Sequence, residues 1–136
     1  MNENEETIRE LFEIANSHAP DALDRIQLMV ADDMTYSSPV TGPTDKNGMR
    51  GVHSAFWSAF PDFVYSVQRM IGQGDTVIVE SVFKGDHEGE LMGIKPTNRN
   101  VAVPLAFVID FKDGKIQRWN SYFDVASVLR QVGAMP

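Results

Sequence analysis

The sequence contains no cysteine, which removes disulfides, thiolate zinc sites, iron–sulfur clusters and a cysteine nucleophile from consideration. Cations are also scarce: 12 Lys and Arg stand against 19 Asp and Glu, a formal charge of −7, with a pI near 4.8. Such a chain repels phosphate backbones and anionic headgroups. Its densest cationic stretch, Lys95 to Arg99, holds two charges and reads as a solvated turn. Neither nucleic acid nor a membrane is therefore an expected partner. No apolar run of about twenty residues is present to cross a bilayer. The start, Met1 to Glu10, is polar and acidic, without the basic and apolar segments of a signal peptide. The expected location is the cytoplasm.

Cofactor signatures are missing as well. Gly72-Gln73-Gly74 joins two expected strands and opens no helix, so it is a turn and not a phosphate loop. No Gly-x-Ser-x-Gly elbow occurs. The three histidines, His18, His53 and His87, fall on separate elements without ligand spacing. Neither a metal nor an organic cofactor is expected.

What the chain does have is ordinary globular composition, with 43% hydrophobic and 23% charged residues over 136 positions. That length suits one domain, 1–136. Ile8, Leu11, Phe12 and Ala15 recur at helical spacing behind an acidic first turn, which predicts a helix from about Glu5 to Ser17. Pro20 opens a second, whose period continues through Ala22, Leu23, Ile26, Met29 and Val30. A brief strand from Thr35 to Val40 leads to turn residues and a cap at Thr41 to Asp45. Met49, Val52, Phe56 and Phe60 mark a third helix, which Pro61 ends.

From Phe63 the period changes to alternation. Four strands are predicted, Phe63 to Gly72, Thr76 to His87, Val101 to Lys112 and Lys115 to Phe123, in an antiparallel meander with Asp113-Gly114 as the clearest hairpin signal. Val125, Val128, Leu129 and Val132 then form the stripe of a short closing helix, before Gly133. Asp124, just ahead of it, reads as its N-cap. The odd-numbered side of the strands is the larger and more apolar, so it faces inward. The fold class is thus α+β: a curved antiparallel sheet packed on three N-terminal helices, with inward side chains meeting in an apolar cavity.

Phe60-Pro61-Asp62-Phe63, Gly74-Asp75, the run Gly85, His87, Gly89, Glu90, Gly93, Pro96 and Thr97, and the ending Asp113-Gly114-Lys115-Ile116, Asp124 and Gln131-Val132-Gly133 together resemble the SnoaL-like polyketide cyclases of the nuclear transport factor 2-like superfamily. The resemblance spans nearly the whole chain. It implies a cone-shaped sheet over the helices, a homodimer and an apolar pocket in the mouth of the cone. By similarity, the aspartate base and the histidine of the aldol cyclases fall on Ser121 and Phe107. The charged relay of the related limonene epoxide hydrolases falls on Ser81, Phe83 and Ser121, and its water-holding pair on Tyr36 and Ser38. Only the tyrosine is kept, so the standard residues of both chemistries are missing.

The resulting expectation is a domain that binds a small, mostly apolar, polyketide- or terpenoid-like molecule. Ser81, Phe83, Leu105, Phe107, Trp119 and Ser121 are expected on the sheet side of its pocket. Tyr36 and His53 are expected near its rim, and Ser38 and Trp57 among its lining. Two alternatives stand beside this: an isomerase-, cyclase- or hydrolase-type enzyme using His53 and Tyr36, since histidine is the natural base near neutral pH, or a non-catalytic protein-interaction module with a filled interior. His18 is expected in an exposed turn. His87 is expected in a hairpin or dimer contact, re-aimed by a bulge at Gly85. Ala102, Pro104, Ala106 and Val108 on the opposite face favour a homodimer.

Overall fold

The computed structural model describes residues 2–136. Four helices, α1 (Glu3–Ser17), α2 (Ala22–Gln27), α3 (Lys46–Ala59) and α4 (Val125–Gln131), accompany six strands, β1 (Val30–Ser38), β2 (Gly42–Thr44), β3 (Val64–Gln73), β4 (Thr76–Asp86), β5 (Asn100–Lys112) and β6 (Lys115–Phe123). The strands form one sheet in the order β2-β1-β6-β5-β4-β3. No helix of the described residues is long and apolar enough to cross a membrane.

The helix ends follow from capping chemistry. Asn2 accepts from the Glu5 amide at 2.8 Å while Glu5 Oε1 accepts from the Asn2 amide at 3.1 Å, a reciprocal capping box that opens α1. Asp45 accepts from the Gly48 amide at 2.9 Å to open α3. Asp124 does the same for α4 through the Ala126 amide at 3.0 Å, as its place ahead of the apolar stripe predicts.

The meander β3-β4-β5-β6 has the expected boundaries to within a residue or two. Its register runs unbroken through β4 and β5, from Thr76↔Asp110 to Asp86↔Asn100, so no bulge exists at Gly85. The glycine answers a different need: a Cβ there would stand 3.0 Å from Phe60 Cβ. Bulges occur instead at Gln68 in β3 and Gln117 in β6, where the pairing skips a residue. The second reverses side-chain parity, so that Ile116 and Trp119, three apart, are both buried.

Two expectations about the first half are corrected. The second helix ends at Gln27, and Met29 and Val30, which continue its period, leave it for the sheet. The strand that follows starts at Val30, not Thr35, and pairs in parallel with β6. The physical reason is edge satisfaction: β6 would otherwise present unpaired amides to the interior. The Ile116 amide donates to Met29 O at 2.9 Å, and Lys46 Nζ donates to Val30 O at 2.9 Å. The sheet is therefore mixed at this one seam and antiparallel elsewhere.

α1 packs across β3 and β4, and α3 across β1. The core between helices and sheet includes Ile8, Met49, Val77, Val79, Ile109, Ile116 and Trp119, each no more than 1% exposed. Burying a side chain of this size contributes roughly 1.5–3 kcal/mol.

Candidate functional site

One end of this interior is hollow. β5 brings Val101, Val103, Leu105 and Phe107 to one wall, and β4 and β6 add Phe83, Ser121 and Phe123. α3 faces them with Val52, His53, Phe56 and Phe60; Tyr36, Tyr65 and Val128 complete the lining. α4 is held over the mouth by Gln131, whose side-chain amide exchanges two hydrogen bonds with the backbone of Ala102, at 2.7 and 3.0 Å. Val128 is thereby fixed at the edge of the hollow.

The space between these walls, counting the open mouth and the solvent in it, is about 520 Å3. Only about 40 Å3 of it clears the walls by a full water radius, room for roughly three waters. The difference measures how closely the aromatic walls approach: Phe56 and Phe83 centroids are 6.2 Å apart, and Phe56 and Phe123 centroids 5.9 Å. Phe56, Phe123, Leu105 and Val52 are only partly buried.

Polar groups gather at one place. Tyr36 Oη lies 3.2 Å from Ser121 Oγ, both residues being buried. His53 stands beside Tyr36 with ring centroids 5.9 Å apart, and its Nδ1 is buried without a partner. Burial lowers the His53 pKa to about 4, because the cation would lose its hydration. The imidazole is therefore neutral at pH 7. Burial likewise raises the Tyr36 phenol, against the opposing hydrogen bonds of Ser121 and Ser38, so it stays protonated. Tyr65 is pushed up for the same reason, with Trp57 Nε1 donating to its hydroxyl at 3.0 Å.

Of the residues singled out from the sequence, Tyr36, His53, Phe83, Leu105, Phe107 and Ser121 line the hollow together. Phe107 and Ser121 are direct cross-strand partners. Four others lie elsewhere. Trp57 lies at the edge of the core, stacked on Phe63 at 4.8 Å and lining a surface groove with His18 and Pro61. Trp119 is 1% exposed and lies behind the lining, against His53 and Phe107 at 5.2 Å each. Ser81 turns to the backbone, donating to Ser66 O at 3.2 Å. Ser38 is bonded to Thr41 in the β1–β2 turn at 2.9 Å. The parity of Ser81 and Trp119 is inward, but inward here means core and not cavity.

The sequence reasoning missed Val52, Phe56, Phe60, Tyr65, Val101, Val103, Phe123 and Val128. Val52, Phe56 and Phe60 carried a usable signal, since they follow the same helical stripe as His53. His18 is exposed but not free: it stacks on Phe63 at 4.4 Å and its Nε2 meets Phe63 O at 2.6 Å. His87 is completely buried within the chain. Its Nδ1 accepts from the Thr97 amide at 3.3 Å and meets Thr97 Oγ1 at 2.9 Å, closing the β4–β5 connection. A dimer contact is excluded for it by that burial.

A bent sheet wrapped by helices around an apolar pocket defines a nuclear transport factor 2-like α+β cone. The chain matches the SnoaL-like polyketide cyclase family over residues 5–132 and belongs to it. Among solved structures it is similar to a candidate SnoaL-like polyketide cyclase from Jannaschia sp. CCS1, at 19% identity and a TM-score of 0.88, covering 98% of this chain and 93% of that one. AclR, a candidate hydroxylase from Streptomyces galilaeus, is 22% identical with a TM-score of 0.86, covering 98% and 87%. IdmH, a candidate polyketide cyclase from Streptomyces antibioticus, is 28% identical with a TM-score of 0.80, covering 97% and 99%. No curated protein matches the chain.

Proposed function

We propose that the cone takes up a small, neutral, largely apolar ring compound, polyketide- or terpenoid-like in character, through the mouth between α3 and α4. The observation that carries this reading is the lining: apolar and aromatic walls around a single polar spot, with no carboxylate, lysine or arginine among them. An unpaired carboxylate buried there would be costly, so neutral rings are favoured over organic acids. The positions that resemble the cyclase base and histidine hold Ser121 and Phe107. Serine has no useful basicity near neutral pH and phenylalanine moves no proton, which supports binding, or a chemistry other than aldol cyclisation.

The test uses Trp57→Phe protein, which leaves Trp119 as the sole tryptophan behind the cavity wall. Titration with neutral polycyclic and terpenoid compounds should change its emission saturably, and matched carboxylates should not. If no neutral compound binds, or if the carboxylates bind tighter, the reading is wrong.

A second reading, an enzyme using His53 and Tyr36, is favoured by the shared wall on which the two rings meet. The neutral imidazole has no proton to spare as an acid at pH 7, so it would act as a weak base, with the Tyr36 phenol as hydrogen-bond donor to a substrate carbonyl. Turnover of such a substrate that is abolished by His53→Gln at unchanged affinity would establish it.

The outer face of the sheet is proposed to pair with a second copy. Ile78 and Tyr122 are 42% and 56% exposed. They flank Val108 and Ala106, their cross-strand partners, and make an apolar strip bordered by Glu80 and Asn120. Sedimentation at micromolar concentration should give a dimer, and a Tyr122→Arg variant a monomer. A wild-type monomer removes the idea.

A further inference from the structure

Tyr65 of β3 is held firmly in place, yet its hydroxyl proton is uncommitted. Asn16 of α1 clamps its backbone, accepting from the amide at 2.8 Å and donating to the carbonyl at 2.9 Å. Its ring packs against Phe12, Phe63 and Phe83 at centroid distances of 5.4, 5.7 and 5.2 Å. Its hydroxyl meets Trp57 Nε1 at 3.0 Å, the one hydrogen bond that Tyr65 Oη makes among the described residues. An indole nitrogen can only donate, so Tyr65 Oη is the acceptor in this bond. The phenol proton is left without an acceptor inside the chain.

The place of Trp57 tells where the hydroxyl end of the ring lies. Trp57 follows His53 by one turn of α3, and the two rings stack 5.9 Å apart at 13°. Tyr36 meets the same imidazole at 5.9 Å. The Tyr65 hydroxyl is thus carried across to α3, at the polar end of the hollow, and Tyr65 and His53 both line that hollow. Burial holds the phenol in its protonated form, and the bond received from Trp57 polarises its O–H toward donation. We infer that Tyr65 is a specificity-determining residue of the cavity, donating a hydrogen bond to a carbonyl or ether oxygen of the neutral ring, with Trp57 as its positioning residue. A ring without such an acceptor leaves a buried O–H unpaired, which is the costly outcome for any donor. The inference rests on the ligand reading proposed above and names the polar group that the ligand carries.

Tetralone and tetralin share one ring skeleton and differ by a single carbonyl. Titrated by calorimetry into wild-type, Tyr65→Phe and Tyr36→Phe protein, the ratio of their affinities reads the hydrogen bond and cancels the apolar contact common to both. The ratio should shift against tetralone by about tenfold in Tyr65→Phe, the effect of leaving one buried acceptor unpaired, and by less in Tyr36→Phe. The carbonyl stretch of bound tetralone gives a second reading that does not depend on the folding of Tyr65→Phe. It should lie lower in the wild type than in Trp57→Phe, where Tyr65 keeps its proton but loses the polarising N–H. An unchanged ratio in Tyr65→Phe, a larger shift in Tyr36→Phe, a stretch that Trp57→Phe leaves in place, or a wild type that binds tetralin alone overturns the inference while the pocket stands. Binding of neither compound by the wild type overturns the pocket and the inference with it.

Discussion

At the base of the cone Val77, Ile109 and Ile116 are completely buried, as is Ile8 of α1. At the mouth Leu105 and Phe123, on the same strands β5 and β6, remain partly exposed beside Val52 and Phe56 of α3. The alternation of apolar residues is the same along both stretches of β5. The difference is what stands opposite. α1 lays its apolar stripe over one end of the sheet and fills it. At the other end α3 presents bulky rings that meet edge to face, and the short α4 covers only part of the gap. Strand periodicity thus says which side chains look inward, and the helices decide whether inward means solid core or hollow.

The sharpest way to break this comparison is to truncate one residue at each end. Ile109→Ala should cost about 3–5 kcal/mol, since a filled base cannot collapse around the void. Urea denaturation measures it. A cost under about 1 kcal/mol would mean that the base is as loosely packed as the mouth.

His53 belongs to the mouth yet is buried, and its effect is read through pH. Its folded pKa, about 4, lies below the unfolded value near 6.5, so between these limits the unfolded chain binds a proton that the folded chain refuses. Stability from this group is complete above about pH 6.5 and is lost as pH falls toward 4, by up to about 3 kcal/mol. His53→Leu should flatten that part of the stability profile. An unchanged profile would show that His53 titrates normally.

Leu105→Ala tests the other half of the comparison. Its side chain already borders open space, so the loss should be about 1–2 kcal/mol, clearly below that of Ile109→Ala, while the affinity for neutral rings changes because the wall has moved. The smallest effect is expected at the edge of the mouth. Asp124→Ala removes the α4 cap and should cost about 1 kcal/mol, with ligand affinity nearly unchanged. A large loss of affinity at intact stability would give Asp124 a direct part in the site.

Much of the architecture was legible because it rests on local rules. The meander follows from alternation interrupted by Gly74-Asp75 and Asp113-Gly114, turns in which Gly74, Asp113 and Gly114 adopt positive φ. The ends of α3 and α4 follow from Asp45, Pro61 and Asp124. The start of α1 was also readable, from Asn2 and Glu5 three residues apart, but was placed two residues late. Met29 and Val30 misled because they satisfy a helical period and a strand equally well. Only the unpaired edge of β6, distant in sequence, drew Val30 into the sheet.

For the site, the amino-acid sequence by itself determined that Phe107 and Ser121 share the inward parity of their strands and that His53 follows the apolar stripe of α3. Those readings need only residue identity and a period of two or of 3.6. The tertiary structure alone decided that Ser81, Ser38 and Trp119 are spent on the core while Phe56, Phe60, Tyr65 and Val128 form the wall. The reason is that a cavity is a property of what fails to meet across the interior, and that is not encoded at any one position along the chain.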